Sequence, residues 1–207
     1  VFEDKVQGHC TRLYVLNSTE KADVILKAGL DVLQQLGVCS IGHPDVWTVR
    51  REYILACWFL HGRSMESLRR LPVMQDKRQL GSLRVLNILF LVAYLGEPYL
   101  APLIAIQMMR ITVRHGLCAI SAYSFAVWGM LVSTYGVNPL QGVEFAKLAV
   151  EMLERFDAPE WQSRVSAAVY GDVLVWTGQT SKCIEHLERA RIVGLDTGDI
   201  EFGMYSG

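Results

Sequence analysis

The sequence lacks every short motif that binds nucleotide phosphates or a catalytic metal. No Gly-Lys pair occurs, which excludes a P-loop, because that loop needs a lysine directly after its glycine-rich turn. Neither G-x-G-x-x-G nor H-R-D occurs, which excludes a dinucleotide-binding fingerprint and a kinase catalytic loop. H-E-x-x-H is absent as well. We therefore predict that these residues form no enzyme active site and hold neither a cofactor nor a metal.

Charge and paired cysteines are also scarce. Charged residues make up 20% of the 207 residues and the net charge is -1, so the chain has no overall field that attracts nucleic acid or anionic lipid. The five cysteines are scattered and form no C-x-x-C pair. That pattern is typical of reduced thiols packed in an intracellular protein, and we expect a cytoplasmic location.

Acidic residues, lysine and arginine are all missing between His115 and Val143. A membrane helix needs about 20 mostly apolar residues, and this segment nearly qualifies. It also contains hydroxyl and amide side chains, and Gly136-Val-Asn-Pro139 is typical of a turn. The segment therefore predicts a helix buried on several sides in a soluble protein, and no membrane partner.

Apolar residues at helical spacing are abundant. They recur at i, i+3, i+4 and i+7 in nearly every segment, while the alternation of a strand is hard to find. Capping residues and glycines, such as Gly37, Gly62, Gly116 and Gly198, mark the helix ends. The class is all-α. The predicted helices are 2–16, 19–36, 45–61, 64–70, 76–95, 98–115, 119–135, 139–156, 159–177 and 181–197.

Small residues repeat along the second half of the chain. Gly129 and Gly136 form a pair whose spacing is repeated by Gly171 and Gly178. Gly96 precedes Gly136 by nearly the interval that separates Gly136 from Gly178, and Ala149 and Ala190 follow the second glycine of each pair at nearly equal distances. This periodicity predicts a right-handed α-solenoid of antiparallel helix pairs, similar to tetratricopeptide repeats but with a period of about 40. An aromatic and leucine stripe is expected to fill its core: Phe125, Trp128, Tyr135, Phe145, Trp176 and Leu187.

We expect one helical-repeat region over residues 1–207, with an irregular insert at about 37–75. The chain opens without an initiator methionine or signal peptide, and "DIEFGMYSG" resembles the first turn of a further helix. Both ends are therefore expected to be cuts through a longer polypeptide. Within the insert, Leu68, Leu71 and Met74 predict an apolar edge on a short helix. Pro72 ends that helix and Asp76 caps the next one.

Three stretches resemble a known protein region. "ESLRRLPVMQD", Glu66 to Asp76, is similar to the "ES-L–LP-M-D" element of the helical repeats in very large signalling kinases and predicted signal-transduction ATPases. "SAYSFAVWGMLV", Ser121 to Val132, resembles their "SA-A-YGM" helix, and "LERFDAPEWQSRV", Leu153 to Val165, resembles a segment joining two later repeats. In that family the region lies between a P-loop ATPase module and a GAF domain, often in a chain with kinase-like and histidine-kinase domains. The resemblance implies a regulatory or scaffolding region whose partners are neighbouring ATPase or kinase domains or another protein.

Individual polar residues give few candidates for chemistry. Asp172 lies in a very apolar helix and must be paired if it faces inward, because an isolated buried carboxylate is costly. His43, His61, His115 and His186 are expected at caps, helix ends or a polar face. The segment from Arg50 to Arg84 carries eight basic residues against three acids, which suits a phosphate group or an acidic partner better than nucleic acid.

Two functions from different classes follow. The first is a non-catalytic helical-repeat region for regulation and protein interaction in a cytoplasmic signalling protein. The alternative is a small-molecule-sensing helical domain whose pocket is enclosed near Trp47, Trp58 and Tyr94.

Overall fold

Every named secondary-structure element that the computed structural model describes is helical, which confirms the all-α class. The described residues are 2–38, 44–136, 139–177 and 180–205, with side chains described from residue 5 onward except at 18 and 19. The chain forms two compact units. One comprises Val1–Arg63 and Leu71–Leu117, and the other comprises Ser64–Arg70 and Cys118–Gly207. The prediction of a single repeat region stays a prediction.

The apolar helix α5 makes most of the helix contacts in the first unit. In chain order the α-helices are α1 (Phe2–Thr19), α2 (Ala22–Gln35), α3 (Val46–Leu60), α4 (Met65–Arg69), α5 (Lys77–Gly96), α6 (Leu100–His115), α7 (Ser121–Tyr135), α8 (Pro139–Phe156), α9 (Gln162–Ser166), α10 (Thr180–Thr197) and α11 (Ile200–Tyr205). In the first unit α5 packs against α1, α2 and α6, and α3 packs against α6. In the second unit α7 packs along α8, and α4 also lies on α8.

The predicted boundaries agree with these helices to within three residues, except over 159–177. There the chain forms a 3-10 turn at Pro159–Trp161, helix α9, a π-helix at Ala167–Val173 and a second 3-10 turn at Leu174–Thr177. Gly171 and the β-branched residues of this segment, such as Val169 and Val173, favour the α-helix weakly. Tertiary packing therefore decides the local helix type.

Side-chain caps begin three of the helices, and one of them, Asp76, was predicted as a cap. Asp45 accepts a hydrogen bond from the Thr48 amide at 2.7 Å, and Ser64 accepts one from the Ser67 amide at 3.1 Å. Asp76 accepts from the amides that open α5, at 2.9 and 3.3 Å. These bonds satisfy donors that have no partner inside the helix.

Four glycines end helices with left-handed backbone, and all four were predicted as helix stops: Gly37, Gly62, Gly116 and Gly198. Gly116 carries the strongest constraint. Its φ is 110°, and a Cβ there would overlap the carbonyl oxygen of Pro72. That carbonyl accepts the Leu117 amide at 2.7 Å, and the Leu117 carbonyl accepts the Met74 amide at 2.8 Å. The segment 72–74 is therefore fixed to the end of α6 by backbone pairing and does not act as a loose linker.

The core of the second unit depends on close contact between α7 and α8. A Cβ on Gly129 would lie 2.9 Å from the Gly142 carbonyl oxygen, so the two helices meet there with backbone almost touching. Phe125, Trp128 and Phe145 are buried around this point, as predicted. Trp176 and Tyr135 are exposed by 83% and 55%, so their assignment to the core was wrong.

One helix of the described chain, α5, is long and apolar enough to cross a membrane by length and composition. Of its most apolar 18-residue window, 61% is buried inside the protein. A core helix of a soluble protein passes the same test, so the finding is weak evidence for a membrane span. The uncharged segment 115–143 is divided between α6, α7 and α8.

Candidate functional site

Helix α3 is apolar on two opposite faces, and only one of them is covered. Its inner face, with Val49, Ala56 and Leu60, is buried where the helix packs against α6. A helix that is apolar all round is normally buried all round. Helix α3 departs from that rule, and its second face is the most distinctive surface of the first unit.

The outer face of α3 presents two tryptophans and an isoleucine in one stripe. Trp47, Ile54 and Trp58 are exposed by 73%, 58% and 78%. Their spacing of seven and then four residues places them within about 40° of one another at 100° per residue. The stripe is about 16 Å long, from 11 residues at about 1.5 Å each. Single exposed apolar residues are ordinary, but a contiguous apolar stripe marks an interaction site. We call these three residues the α3 stripe.

Arginines border the α3 stripe on both sides. From helical geometry Arg50 lies about 60° to one side of Trp47, and Arg51 lies about 40° to the other side. Arg51 donates to Glu52 at 2.8 Å, and the Arg50 side chain forms no ion pair with another described residue. Further along the helix, the guanidinium groups of Arg63 and Arg114 lie over the Phe59 ring, 5.4 and 5.1 Å from its centroid.

Glu52 is the single carboxylate within α3, and its charge is already neutralised. Arg110 donates to one of its oxygens at 2.7 Å, while Arg51 donates to the other. Burial alone raises the pKa of Glu52, but the hydrogen bonds from Arg110 and Arg51 outweigh it, so the pKa lies below its usual value. The α3 surface therefore combines exposed aromatic area with excess positive charge.

The second unit contains a cavity of about 290 Å³ beside the π-helix. Tyr170 of the π-helix stacks on His186 of α10, with ring centroids 4.0 Å apart and an interplanar angle of 2°. Burial raises the pKa of the Tyr170 phenol. Asp157, at the cavity wall, is the one described non-glycine residue with a left-handed backbone, at φ 44°. Irregular backbone of both kinds is frequent at functional sites.

Charged side chains of both signs line this cavity without pairing. Glu154, Asp157 and Arg189 all contribute to its wall, together with apolar Leu153 and Ala158. No ion pair joins the three charged groups to one another or to other residues in the described part of the chain. A small ligand that carries both an amine and an acid group suits this wall best.

Asp172 is half-buried and lines a different cleft of the second unit. That cleft has a volume of about 640 Å³, and Ser133, Leu140 and Trp176 also border it. His61 and His115 are exposed at helix ends as predicted, while His43 lies outside the described residues. Within the described chain no group of three metal-binding side chains lies together.

The remaining strong ion pairs hold helices together. Arg69 of α4 donates to Glu151 of α8 through two nitrogens, and Arg155 of α8 donates to the Arg69 carbonyl. Arg69 and Glu151 are 82 residues apart, so no local sequence pattern predicts this contact. Arg164 and Asp199 form a buried bidentate pair, with both bonds at 2.8 Å. The Arg164 guanidinium also lies 4.8 Å from the centre of the Phe202 ring.

The residues predicted as a structural signature lie in varied environments. Leu68, Met74, Ala149 and Ala190 are buried, Leu71 is half-buried, and Pro72 is exposed. Gly129 lies at the α7–α8 contact, and Gly136 ends α7. Gly96 and Gly171 are exposed, and a Cβ on either would meet open space. Gly178 lies outside the described residues. The packing of Gly129 is therefore not repeated at Gly171, its counterpart in the sequence.

The pocket predicted around Trp47, Trp58 and Tyr94 is not among the described cavities, since these rings line neither of them. Trp47 and Trp58 instead form the outward α3 stripe. The sequence did contain the signal, because the three stripe residues share one helical face opposite Val49 and Ala56.

No protein-family model matches this chain, and comparison with curated proteins and with solved structures finds none that is significantly similar.

Proposed function

We propose that this chain is a non-catalytic helical-repeat region that binds other protein domains and regulates them, within a cytoplasmic signalling protein that also carries ATPase or kinase domains. The α3 stripe is the observation that carries the proposal. Two tryptophans exposed by more than 70% have a large apolar area in water, and covering it with a partner is favourable.

The same proposal includes the solenoid arrangement. Consecutive helices that pack together and are joined by short connections, such as α5 with α6 and α7 with α8, support antiparallel pairs. A right-handed step with a period of about 40 residues between such pairs stays a prediction. An experimental structure in which pairs superpose by a constant right-handed rotation would establish it, and a left-handed or irregular step would contradict it.

The experiment compares the purified chain with its Trp47→Ala/Trp58→Ala variant. Proteins that the wild-type chain captures are identified and purified. The dissociation constant of each one is then measured for the wild type and for the variant. We expect the variant to bind at least about tenfold more weakly, because buried tryptophans are frequent hot spots. We also expect no ATP hydrolysis or phosphotransfer by the pure chain. Turnover that co-purifies with the chain through several columns would contradict the proposal.

A second candidate function, small-molecule sensing, is favoured by the cavity beside Tyr170 and His186. A ligand that binds only the folded state raises the melting temperature. We would screen amino acids and short peptides by thermal shift against the wild type and against His186→Ala. A shift that the variant loses would support sensing, and the absence of any shift across the panel would contradict this ligand class.

A further inference from the structure

We propose that the partner of the α3 stripe is an acidic amphipathic helix from a separate protein chain, which packs lengthwise on α3 and completes it as a helix pair. This inference rests on the proposed function and adds the chemistry of the partner. It depends on the shape of the stripe, on the packing of α3, and on the charges that border the stripe.

The shape of the stripe matches the contact seam of a helix. Trp47, Ile54 and Trp58 lie at i, i+7 and i+11, the spacing by which one helix contacts another. The stripe is one helix wide and about 16 Å long, or three turns. A peptide that binds by strand addition needs an open strand edge, and the structure describes no strand in residues 44–136.

The packing of α3 leaves a place for such a helix. Helix α5 packs against three neighbours in the same unit, whereas α3 packs against α6. The inner residues Val49 and Ala56 are buried by this contact, and the opposite side of α3 is in solvent. A partner helix on the α3 stripe would give α3 a neighbour on each apolar face.

The charges that border the stripe determine which charge the partner helix should carry. Arg50 and Arg51 flank the stripe, while Glu52 is held by Arg110 and Arg51. No uncompensated carboxylate therefore lies within α3 to attract a basic partner. Glutamates or aspartates on the edges of the partner helix would meet the arginines, which steers association and excludes basic helices.

A protein helix fits this surface better than an anionic membrane. Membrane-surface helices expose a broad apolar face with many basic residues, and each Lys or Arg near the surface contributes only about 1 kcal/mol. Here two arginines border the α3 stripe, Val46 and Leu55 widen the exposed apolar face, and Asp45 places a carboxylate at its N-terminal end, where an anionic surface would be repelled. The observations therefore favour a single helix over a lipid surface.

The test uses two synthetic peptides, each long enough for about four helical turns, with the same leucine stripe at i, i+4, i+7 and i+11. One carries glutamate on both edges and the other carries lysine. Their binding to the full chain is measured by fluorescence anisotropy. At low salt we expect the acidic peptide to bind at least about tenfold more tightly than the basic one, and the difference to shrink in about 0.5 M salt because salt screens exposed charges.

Three variants of the chain separate the contributions of the tryptophans and of the arginines to peptide binding. Trp47→Ala/Trp58→Ala should weaken binding of the acidic peptide about tenfold or more. Arg50→Glu/Arg51→Glu should reverse the preference, so that the basic peptide binds more tightly. Trp176→Ala is the matched control, because this tryptophan is equally exposed but lies in the second unit, and it should leave both affinities unchanged. Circular dichroism checks that each variant is folded.

Several results would overturn the inference. Equal binding of the two peptides, or binding that the paired tryptophan variant retains, would show that the face does not select an acidic helix. Sedimentation with vesicles of phosphatidylcholine and phosphatidylserine that requires Trp47 and Trp58 would assign the face to a membrane. Self-association that the same variant abolishes would assign it to a second copy of the chain. If both peptides fail while a purified partner domain still binds, and the paired tryptophan variant weakens that binding, only the partner chemistry is wrong and the proposed function stands.

Discussion

Removal of the Asp199 carboxylate should unfold the second unit more readily than most single substitutions in this chain. Arg164 and Asp199 are 8% and 9% exposed, and two hydrogen bonds of 2.8 Å join them. In Asp199→Ala the guanidinium stays between Trp161 and Phe202 without its carboxylate. A buried charge that loses its partner typically costs about 3–5 kcal/mol.

A second route to the loss in free energy of unfolding gives a similar value for Asp199→Ala. Each hydrogen bond to a charged group contributes about 1.5–3 kcal/mol, so two such bonds give about 3–6 kcal/mol. In a chain of roughly 200 residues each kcal/mol shifts the melting temperature by about 2–4 °C, so a fall of at least about 6 °C is expected. Thermal and urea unfolding followed by circular dichroism measure both quantities.

The control replaces both partners at once. Arg164→Met/Asp199→Leu removes the two charges and leaves side chains of similar volume, so its stability should lie within about 1–2 kcal/mol of the wild type. The difference between single and double variants isolates the unpaired charge. A cost below about 1 kcal/mol for Asp199→Ala would refute the buried pair, and so would a double variant as unstable as the single one.

Four further substitutions, with two controls, test other parts of the fold. Leu68→Asp places an unpaired carboxylate in a fully buried site and should lower the free energy of unfolding by several kcal/mol. Its control, Arg70→Ala, loses one exposed ion pair with Glu66 and should lower it by about 0.3–0.5 kcal/mol. Urea midpoints that rank the two variants the other way would contradict α4 as a fixed part of the second unit. Leu71→Asp should fall between these two, because Leu71 is only half-buried. Gly116→Ala should destabilise the fold by about 1–3 kcal/mol, because a φ of 110° is strained for alanine and the new Cβ would overlap Pro72. Gly96→Ala is the control in the same melting assay, because a Cβ at that position would meet open space. Because the folded pKa of Glu52 is lowered, its pairing stabilises the fold fully above the unfolded pKa of about 4.3 and is lost as the pH falls through the folded value. The stability advantage of the wild type over Glu52→Gln should therefore be constant near neutral pH and shrink as the pH falls below about 5, and an advantage that stays constant in acid would contradict the pairing.

Local signals in the sequence were sufficient for the helices and their ends, except over residues 159–177. The four left-handed glycines and the caps at Ser64 and Asp76 each follow from the chemistry of one or two residues. Local signals failed where two distant segments decide the outcome. Arg164 and Asp199 are separated by 35 residues, and nothing near either one marks it as buried. The exposure of Trp176 was missed for the same reason. The sequence pattern around an aromatic residue at core spacing is the same whether or not a distant segment covers its side chain.

Helices α3 and α7 show why the candidate site could be recognised only in part. Both sequences are apolar around most of the helix, a pattern that predicts burial on all sides. In α7 that prediction holds, since the residues from Ser121 to Gly129 are buried throughout. In α3 one apolar face packs against α6 and the other lies in solvent. The solvent face carries two arginines at its edges, which a fully buried helix could not accommodate without paired carboxylates. Arg50 and Arg51 beside exposed tryptophans therefore distinguish α3, which has one face in solvent, from α7, which is buried in the core.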